Sequence, residues 1–582
     1  MILHALTRYY QRISQERADE VAPEGFERKE IPFVIVLDHS GNFVGLEDTR
    51  EGTGKKKQAR VFIVPKGAKK TSGIVANLFW DTPAYAVGRP KPDPKKDPVE
   101  LAERAEKQFF CFQQTIRDAC CTGESQDEAV LALLRFLEKQ DFEQLFLHPG
   151  WEEVEEKGMN VSFRLNTDHS LICQRPDVVS QLASSLSVLG EDDTRQVCLV
   201  SGKSEAPARL HTAIKGVWGA QTSGANIVSF NLGAFCSYGK KQGLNAPVGR
   251  NAETAYTTAL NTLLVKGSKQ RMQVGDASTV FWAEEKNDLE DVFADIFGDS
   301  AKENPEQANK AVRILYESPK AGTPSITEDY TPFFVLGLSP NASRIAVRFW
   351  HAGTVGETAL HIRQHFEDCQ IVRRPKDPEH LSLFRLLVST ALQGKSENIA
   401  PNLGGECMKA ILTGTPYPQT LLAAVVRRCR AEREVTYPRA ALLKAVLVRA
   451  ARYYRQSEQE VGMALDINNT NIGYRLGRLF ATLEKIQEEA SPGINATIRD
   501  RFYGGASGSP VTAFPHLMKL KNHHLAKIEN RGRVVNLEKI IGEIMSGIVD
   551  FPTHLSLQDQ GRFAVGYYHQ RRALFTKHET NE

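Results

Sequence analysis

The chain has no Cys-x-x-Cys pair, and of its nine cysteines only Cys120 and Cys121 are adjacent. The ligand spacing of a zinc finger is therefore missing. There is no His-Glu-x-x-His, no Gly-x-Ser-x-Gly and no His-Asp dipeptide. The local signatures of metalloproteases, serine hydrolases and metal-dependent nucleases are absent with them. Ser201-Gly202-Lys203-Ser204 resembles the end of a phosphate-binding loop. The glycine that opens such a loop would fall at position 197, which is Val, and Pro207 leaves no room for the long helix that follows it. No uncharged apolar run is long enough to span a bilayer. The opening MILHALTRYYQRISQERADEV carries early charges and no long apolar centre, and it reads as an amphipathic helix rather than a signal peptide. A cytoplasmic protein with reduced thiols is expected. With no catalytic template in sight, no metal, no cofactor and no enzymatic activity are expected either.

A marked excess of charge is missing too. Lys and Arg total 73 against 70 acidic residues, a net of +3 over 582 residues. That balance neither demands nor excludes a polyanion, so clustering decides. Basic clusters occur at Lys55-Lys56-Lys57, Lys69-Lys70, Lys240-Lys241, Arg373-Arg374, Arg427-Arg428 with Arg430, and Arg571-Arg572. The plain reading of a short basic pair is a solvated face.

What is present centres on His211 to Val248. Glycines at 216, 219, 224, 233, 239 and 243 alternate with Lys215, Gln221, Thr222, Ser223, Asn226, Lys240, Lys241 and Asn245. Glycines let a backbone approach a ligand closely, and amides, hydroxyls and lysines supply donors, acceptors and charge. Trp218, Phe230, Phe235 and Tyr238 are expected to anchor the segment to the fold. Such a mixture suits a surface that meets phosphates and bases; the alternative is a strand-loop-strand segment with ordinary turns. A second stretch of this kind is KKTSGIVANLFWDTPAYAVG, residues 69–88, with Lys69, Lys70, Thr71, Ser72, Gly73 and Asn77 ahead of an apolar block. Its bland reading is a strand edge protected by lysines.

Hydrophobic content of 41% and charged content of 25% are those of a globular protein, and the length calls for several domains. The pattern predicts an α+β fold: a mixed α/β part over about two thirds of the chain, then a helical bundle. Four regions follow: a strand-rich 1–98, an α/β region 99–355 with the glycine-rich stretch, a helical 356–462 and a helical 463–582. Residues 31–48 and 333–350 read as hairpins, 60–65 and 279–284 as strands. VCLVSGK (197–203) reads as a buried strand entering a glycine turn. In 344–350, Ile345, Val347 and Phe349 alternate with Arg344, Arg348 and Trp350. Beyond about 355 the strand signals stop. Apolar stripes at helical spacing begin, including Leu421, Leu422, Val425, Val426 and Cys429, with Arg427, Arg428 and Arg430 off the stripe. Arg449, Arg452 and Arg455 follow a similar stripe. Basic outer faces of such helices suit a phosphate backbone, or are merely solvated.

The segments KKTSGIVANLFWDT, HTAIKGVWGAQTSGANIVSFNLGAFCSYGKKQGLNAP, FFVLGLSPNASRIAVRFW, ILTGTPYPQTLL and YRLGRLFATLEKIQEEA, in this order, resemble the large subunit of the type I-C CRISPR surveillance complex (Cascade). The opening MILHALTRYY is similar to that family's start, so the resemblance covers essentially the whole chain. It implies a non-catalytic subunit of an RNA-guided antiviral machine. Such a subunit reads the short duplex motif beside the target (the PAM), assists DNA unwinding and R-loop formation, and recruits a helicase-nuclease, while guide pairing supplies sequence specificity. The implied partners are CRISPR RNA-bound backbone subunits, a small subunit, double-stranded target DNA and that helicase-nuclease, with no membrane. It also implies that 463–582 resembles the small subunit and is made separately from an internal start, for which Met463 is the candidate.

On this reading the base contacts fall to Thr71, Ser72, Gly73 and Asn77, and to Gln221, Ser223, Gly224 and Asn226. Phosphate contacts fall to Lys69, Lys70, Lys215, Lys240 and Lys241, and on the helical third to Arg427, Arg428, Arg430, Lys519, Lys521 and Lys527. Two other classes stay open: a nuclease or nucleotide-dependent enzyme acting on nucleic acid, and a pure scaffold.

Overall fold

The computed structural model describes residues 1–17, 21–23, 25–52, 57–68, 73–120, 127–187, 195–297, 312–313, 315, 328–456 and 461–575. The fold is α+β, as expected. The chain forms two compact units. One comprises Met1–Ala213 with Val228–Thr262, the other Ile214–Ile227 with Leu263–Glu582. The glycine-rich stretch is thus divided between them.

The first unit opens with the helix Ile2–Glu16, which buries Ala5, Leu6, Tyr9 and Ile13 on one face. Its main sheet has the order Phe43–Asp48, Phe33–Leu37, Val161–Leu165, Trp80–Asp81. The first two strands are the expected antiparallel hairpin, closed by Asp38, whose carboxylate accepts from Ser40 and Asn42. Phe33–Leu37 and Val161–Leu165 run parallel. A parallel pair needs a long crossover, and this one contains the helices Pro98–Cys120 and Glu128–Lys139. Phe112 and Phe136 from those helices pack against Phe163, at 6.1 and 6.3 Å between ring centroids. Beside this sheet Val61–Pro65 pairs with Phe26–Glu30, a strand missed in the sequence because FERKE is four-fifths charged or polar.

The second unit is built on an antiparallel sheet of order Arg344–Thr354, Pro332–Asn341, Ala277–Ala283, Arg271–Val274. Every residue of Ala277–Ala283 is buried. On one face Phe281 and Phe333 meet Phe293 of the helix Asp288–Phe297. On the other, Trp282, Phe334 and Trp350 stack together, Phe334 and Trp350 being 5.5 Å apart and nearly coplanar. The 333–350 hairpin is present, but its alternation breaks. A bulge opposite Gly337/Leu338 leaves Val347 45% exposed beside Arg348, while Ile345 and Phe349 stay buried. A bulge places two successive residues against one partner and re-aims the side chains. A Cβ at Gly337 would come within 2.2 Å of the Phe349 ring, so only glycine lets that ring lie flat on the sheet.

After Thr354 the described chain is helical, and one hydrophobic core runs from this sheet to the final helix Leu557–Phe575. The predicted stripe Leu421, Leu422, Val425, Val426, Cys429 is buried on the helix Gln419–Glu432. The helix Tyr437–Tyr453 departs from expectation: it is buried nearly all round, Arg439, Lys444 and Arg449 included. Arg449 and Asp368 are each 1% exposed and paired at 3.1 Å, and Arg452 reaches the same carboxylate at 2.7 Å. Ile472–Ala490 packs on Leu557–Phe575 through glycines. A Cβ at Gly477 would sit 2.0 Å from the Phe563 carbonyl, and one at Gly566 2.2 Å from that of Tyr474.

Candidate nucleic-acid interface

Ile214 and Ala225 exchange backbone hydrogen bonds of 2.8 and 2.9 Å and close the loop between them. Ile214, Val217 and Ala225 are buried, so the loop is rooted at both ends and at one point between. Gly216 and Gly219 have φ of 86° and 77°. At the tip the Gly224 N–H donates to the Gln221 carbonyl, a tight turn whose Gly224 has φ 92°. Lys215, Trp218, Gln221, Thr222 and Ser223 are exposed, Gly224 and Asn226 half-buried. Asn226 is tied by its backbone to the turn of the 332–354 hairpin: its carbonyl accepts from Ile345 at 3.0 Å. Here Gln221, Ser223, Gly224 and Lys215 share one loop of the second unit.

The other half of the stretch belongs to the first unit. Asn245 staples a turn: its side-chain oxygen accepts from the Ser237 N–H at 2.9 Å and its nitrogen donates to the Gln242 carbonyl at 2.9 Å. Gly243 is pressed against the Ala208 carbonyl, 2.1 Å from where a Cβ would be. The staple displays Tyr238, at 99% exposure, with Lys240 and Lys241, both exposed. Of the expected anchors, Trp218 (63% exposed), Phe235 (36%) and Tyr238 therefore face out. Glycine turns carry them past the surface, and Val217 and Gly243 anchor the backbone instead.

The N-terminal stretch is described only in part, since Lys69, Lys70, Thr71 and Ser72 lie outside the described residues. Gly73 has φ 86° and open space around it. Asn77 is buried, its side-chain oxygen accepting from the Ala68 N–H at 2.9 Å. It therefore clasps the loop shut rather than facing outward. At the foot of this loop Lys66 lies 3.6 Å from Glu253, and Glu253 also accepts the backbone N–H of Thr212. Lys66 and the Thr212 backbone thus share one buried carboxylate of the helix Arg250–Leu264. Beside it His211 bonds Tyr256.

On the helical third, Arg427 is exposed, while Arg428 is half-buried and paired with Glu432 at 3.2 Å. Arg430 donates to the Gly504 carbonyl at 3.3 Å and to Gln560. Lys519 and Lys527 are exposed and Lys521 half-buried. No acidic residue occurs from Pro510 to Ile528, so the helix Pro510–Leu525 and the turn after it carry one sign of charge. Met463 is exposed and follows the helix Tyr437–Tyr453; its carbonyl accepts from Val372 at 2.8 Å.

Two features escaped the sequence reading. Between Glu205 and Glu253 there is no Asp or Glu at all, while Arg209, Lys215, Lys240, Lys241 and Arg250 fall inside. Counting acids alone would have found this. The VCLVSGK segment is no buried strand: Val197 and Leu199 are 62% and 69% exposed. Only Cys198 is buried there, its sulfur accepting from the N–H groups of Val200, Ser201 and Gly249. Elsewhere in the first unit a cleft of about 810 Å³ is bounded by Arg28, Arg60, Phe62 and Arg175. Arg175 is already held by Asp127, Asp168 and Glu128. Among the described residues no group of three or more His, Cys, Asp or Glu is placed to hold a metal ion. No described helix is long and apolar enough to cross a membrane.

The glycine-rich stretch exposes Lys215, Lys240 and Lys241, and the helical third exposes Arg427, Lys519 and Lys527. Residues 6–575 match the model of the family described as CRISPR-associated protein (Cas_Csd1), and the chain belongs to that family. No curated protein matches the chain.

Proposed function

We propose that this chain is the non-catalytic large subunit of a type I-C CRISPR surveillance complex, and that it reads the PAM in duplex DNA, assists R-loop formation and recruits the helicase-nuclease. The observation that carries the reading is the run between Glu205 and Glu253, empty of carboxylates, opened by glycines and exposing Lys215, Gln221, Ser223, Lys240 and Lys241. Gln221 and Ser223 are its base-contacting groups, since their side chains stand at the tip of a rooted loop. Gly224 and Asn226 shape that loop and fix it to the hairpin turn. Lys215, Lys240 and Lys241 hold phosphates and set register. Asn77 acts through the loop that it closes, and Gly73 through that loop's open backbone. Arg427, Lys519 and Lys527 offer a second track for a displaced or target strand. The complex acts in the cytoplasm, where its guide RNA and invading DNA meet.

The test is binding of PAM-bearing and PAM-mutated duplexes by the assembled guide-RNA complex. Gln221→Ala and Ser223→Ala together reduce the preference by about 1–3 kcal/mol. Unchanged discrimination refutes the assignment. Turnover of DNA or ATP by the purified chain, lost on changing one carboxylate, would favour an enzyme. Absence of any crosslink to duplex inside the complex would favour a scaffold. A separate product beginning at Met463 is tested by mass spectrometry of the complex: Met463→Ala removes the short chain, and its persistence rules this start out.

A further inference from the structure

Trp218 is the one large aromatic in the Ile214–Ile227 loop, and its ring is 63% exposed. The backbone beneath it is not free to fold the ring away. Its N–H donates to the Ser278 hydroxyl at 2.8 Å, and Ser278 is buried in the central strand Ala277–Ala283. The preceding residue, Val217, is itself buried. Gly216 lies so close to the Leu264 carbonyl that a Cβ would stand 2.5 Å from it, and Gly219 leaves the loop at φ 77° beside Pro340. The indole is thus displayed from a rigid seat. Among the described residues it meets no other aromatic ring, and its side-chain N–H has no acceptor.

A single exposed aromatic needs no partner by itself; here the ring stands on fixed backbone in a loop that also exposes a lysine, an amide and a hydroxyl. What covers it is indicated by its own loop: Ile214–Ile227 carries no carboxylate, and Lys215, Gln221 and Ser223 are exposed on it. That combination fits a nucleobase, whose π-face stacks on an indole whatever its identity, with the phosphate beside it drawn to the lysine. A paired base inside a duplex offers no free face, so the base concerned is one that has left its pair.

We infer that Trp218 stacks on an unpaired nucleobase at the point where duplex target opens. This deepens the reading given under Proposed function and rests on it. Gln221 and Ser223 inspect base edges; Trp218 holds a base already displaced, so it affects opening and not recognition.

The experiment uses the assembled guide-RNA complex with the full chain as wild type, Trp218→Ala or Trp218→Phe. The target duplex carries 2-aminopurine, a base whose fluorescence reports loss of stacking, at the first pair beside the PAM. Trp218→Ala is expected to slow opening about tenfold, with Trp218→Phe within about threefold of wild type. A target mismatched at that pair should bring Trp218→Ala back to the wild-type rate, and affinity for the closed, PAM-bearing duplex should not change. Opening by Trp218→Ala at the wild-type rate overturns the inference. So does a defect that persists on the mismatched target, or loss of a protein subunit from the Trp218→Ala complex, which would make the indole a protein contact. Failure of the wild-type complex to bind PAM-bearing duplex sinks the functional reading as well. A normal wild type beside an unaffected Trp218→Ala sinks only this inference.

Discussion

Glu253 and Lys66 meet at 3.6 Å, with Glu253 5% exposed in its side chain and Lys66 40%. The same carboxylate receives the Thr212 N–H. Removing it leaves the Thr212 backbone donor without its partner and releases Lys66 as well. Glu253→Ala should cost about 1–3 kcal/mol in urea unfolding. It should also weaken duplex binding by the assembled complex. Glu253→Gln keeps an acceptor and should recover most of both. Lys66→Ala, at a half-exposed pair, should cost under about 1 kcal/mol.

The pair of Asp368 and Arg449 is a different case, because neither partner sees water. Arg449→Ala leaves the buried carboxylate to Arg452 alone and should cost about 1–3 kcal/mol, read as a lower urea midpoint. Arg427→Ala, on an exposed face, should move stability by no more than about 0.5 kcal/mol.

Acid should destabilise the second unit in a defined window. Burial pushes the His351 and His569 imidazoles down to about 4 and His365 to about 3. The unfolded chain takes up these protons below about 6.5, where the folded chain refuses them. Their contribution is complete above that pH and is lost as pH falls toward about 4. The melting temperature should decline across this window, and His569→Gln should flatten the decline. In the first unit, hydrogen bonds from Arg50 and Lys157 hold Glu153 down to about 2. Its contribution is present above its ordinary value near 4.5 and disappears as pH falls to about 2, so a second decline should follow at lower pH, absent in Glu153→Gln.

Gly477→Ala pushes a methyl into the Phe563 carbonyl and should cost at least about 1–3 kcal/mol. Gly504→Ala is the control. Nothing lies within 4 Å of its would-be Cβ and it sits inside the helix Ile498–Gly508. It should be neutral or gain up to about 1 kcal/mol. Thermal melts of the two variants check the contrast.

Lys240→Ala and Lys241→Ala should each weaken binding of all duplexes alike. Each should also reduce the slope of log affinity against log salt by about one. Anisotropy titrations over a range of salt read both effects.

Much of this architecture could be read from residue order. Hairpins with a turn at His39–Asn42 or Asn341–Ser343 announce themselves through local chemistry, and so do helices whose stripe repeats at Leu421, Val425 and Cys429. What escaped depends on tertiary surroundings. A basic residue following an apolar stripe looks solvent-facing, yet Arg449 is buried because Asp368, far off in sequence, waits for it. An aromatic looks like an anchor, yet Trp218 is turned outward by the glycines beside it. The link from Lys66 through Glu253 to Thr212 joins three distant positions, and no spacing rule reveals it. The bulge beside Val347 and the charged strand Phe26–Glu30 hide for the same reason: partner strands decide them.

The chain passes from one unit to the other after Ala213, after Ile227 and after Thr262. A ribosome that has made the first 213 residues has therefore not yet supplied all of the first unit. The helix that carries Glu253 emerges later, once the loop Ile214–Ile227, which awaits its own sheet, has left the exit tunnel. Gene fragments cut at Ala213 or Ile227 should yield insoluble polypeptide, and the natural order of synthesis obliges the early half to stay unfinished until Thr262 is clear.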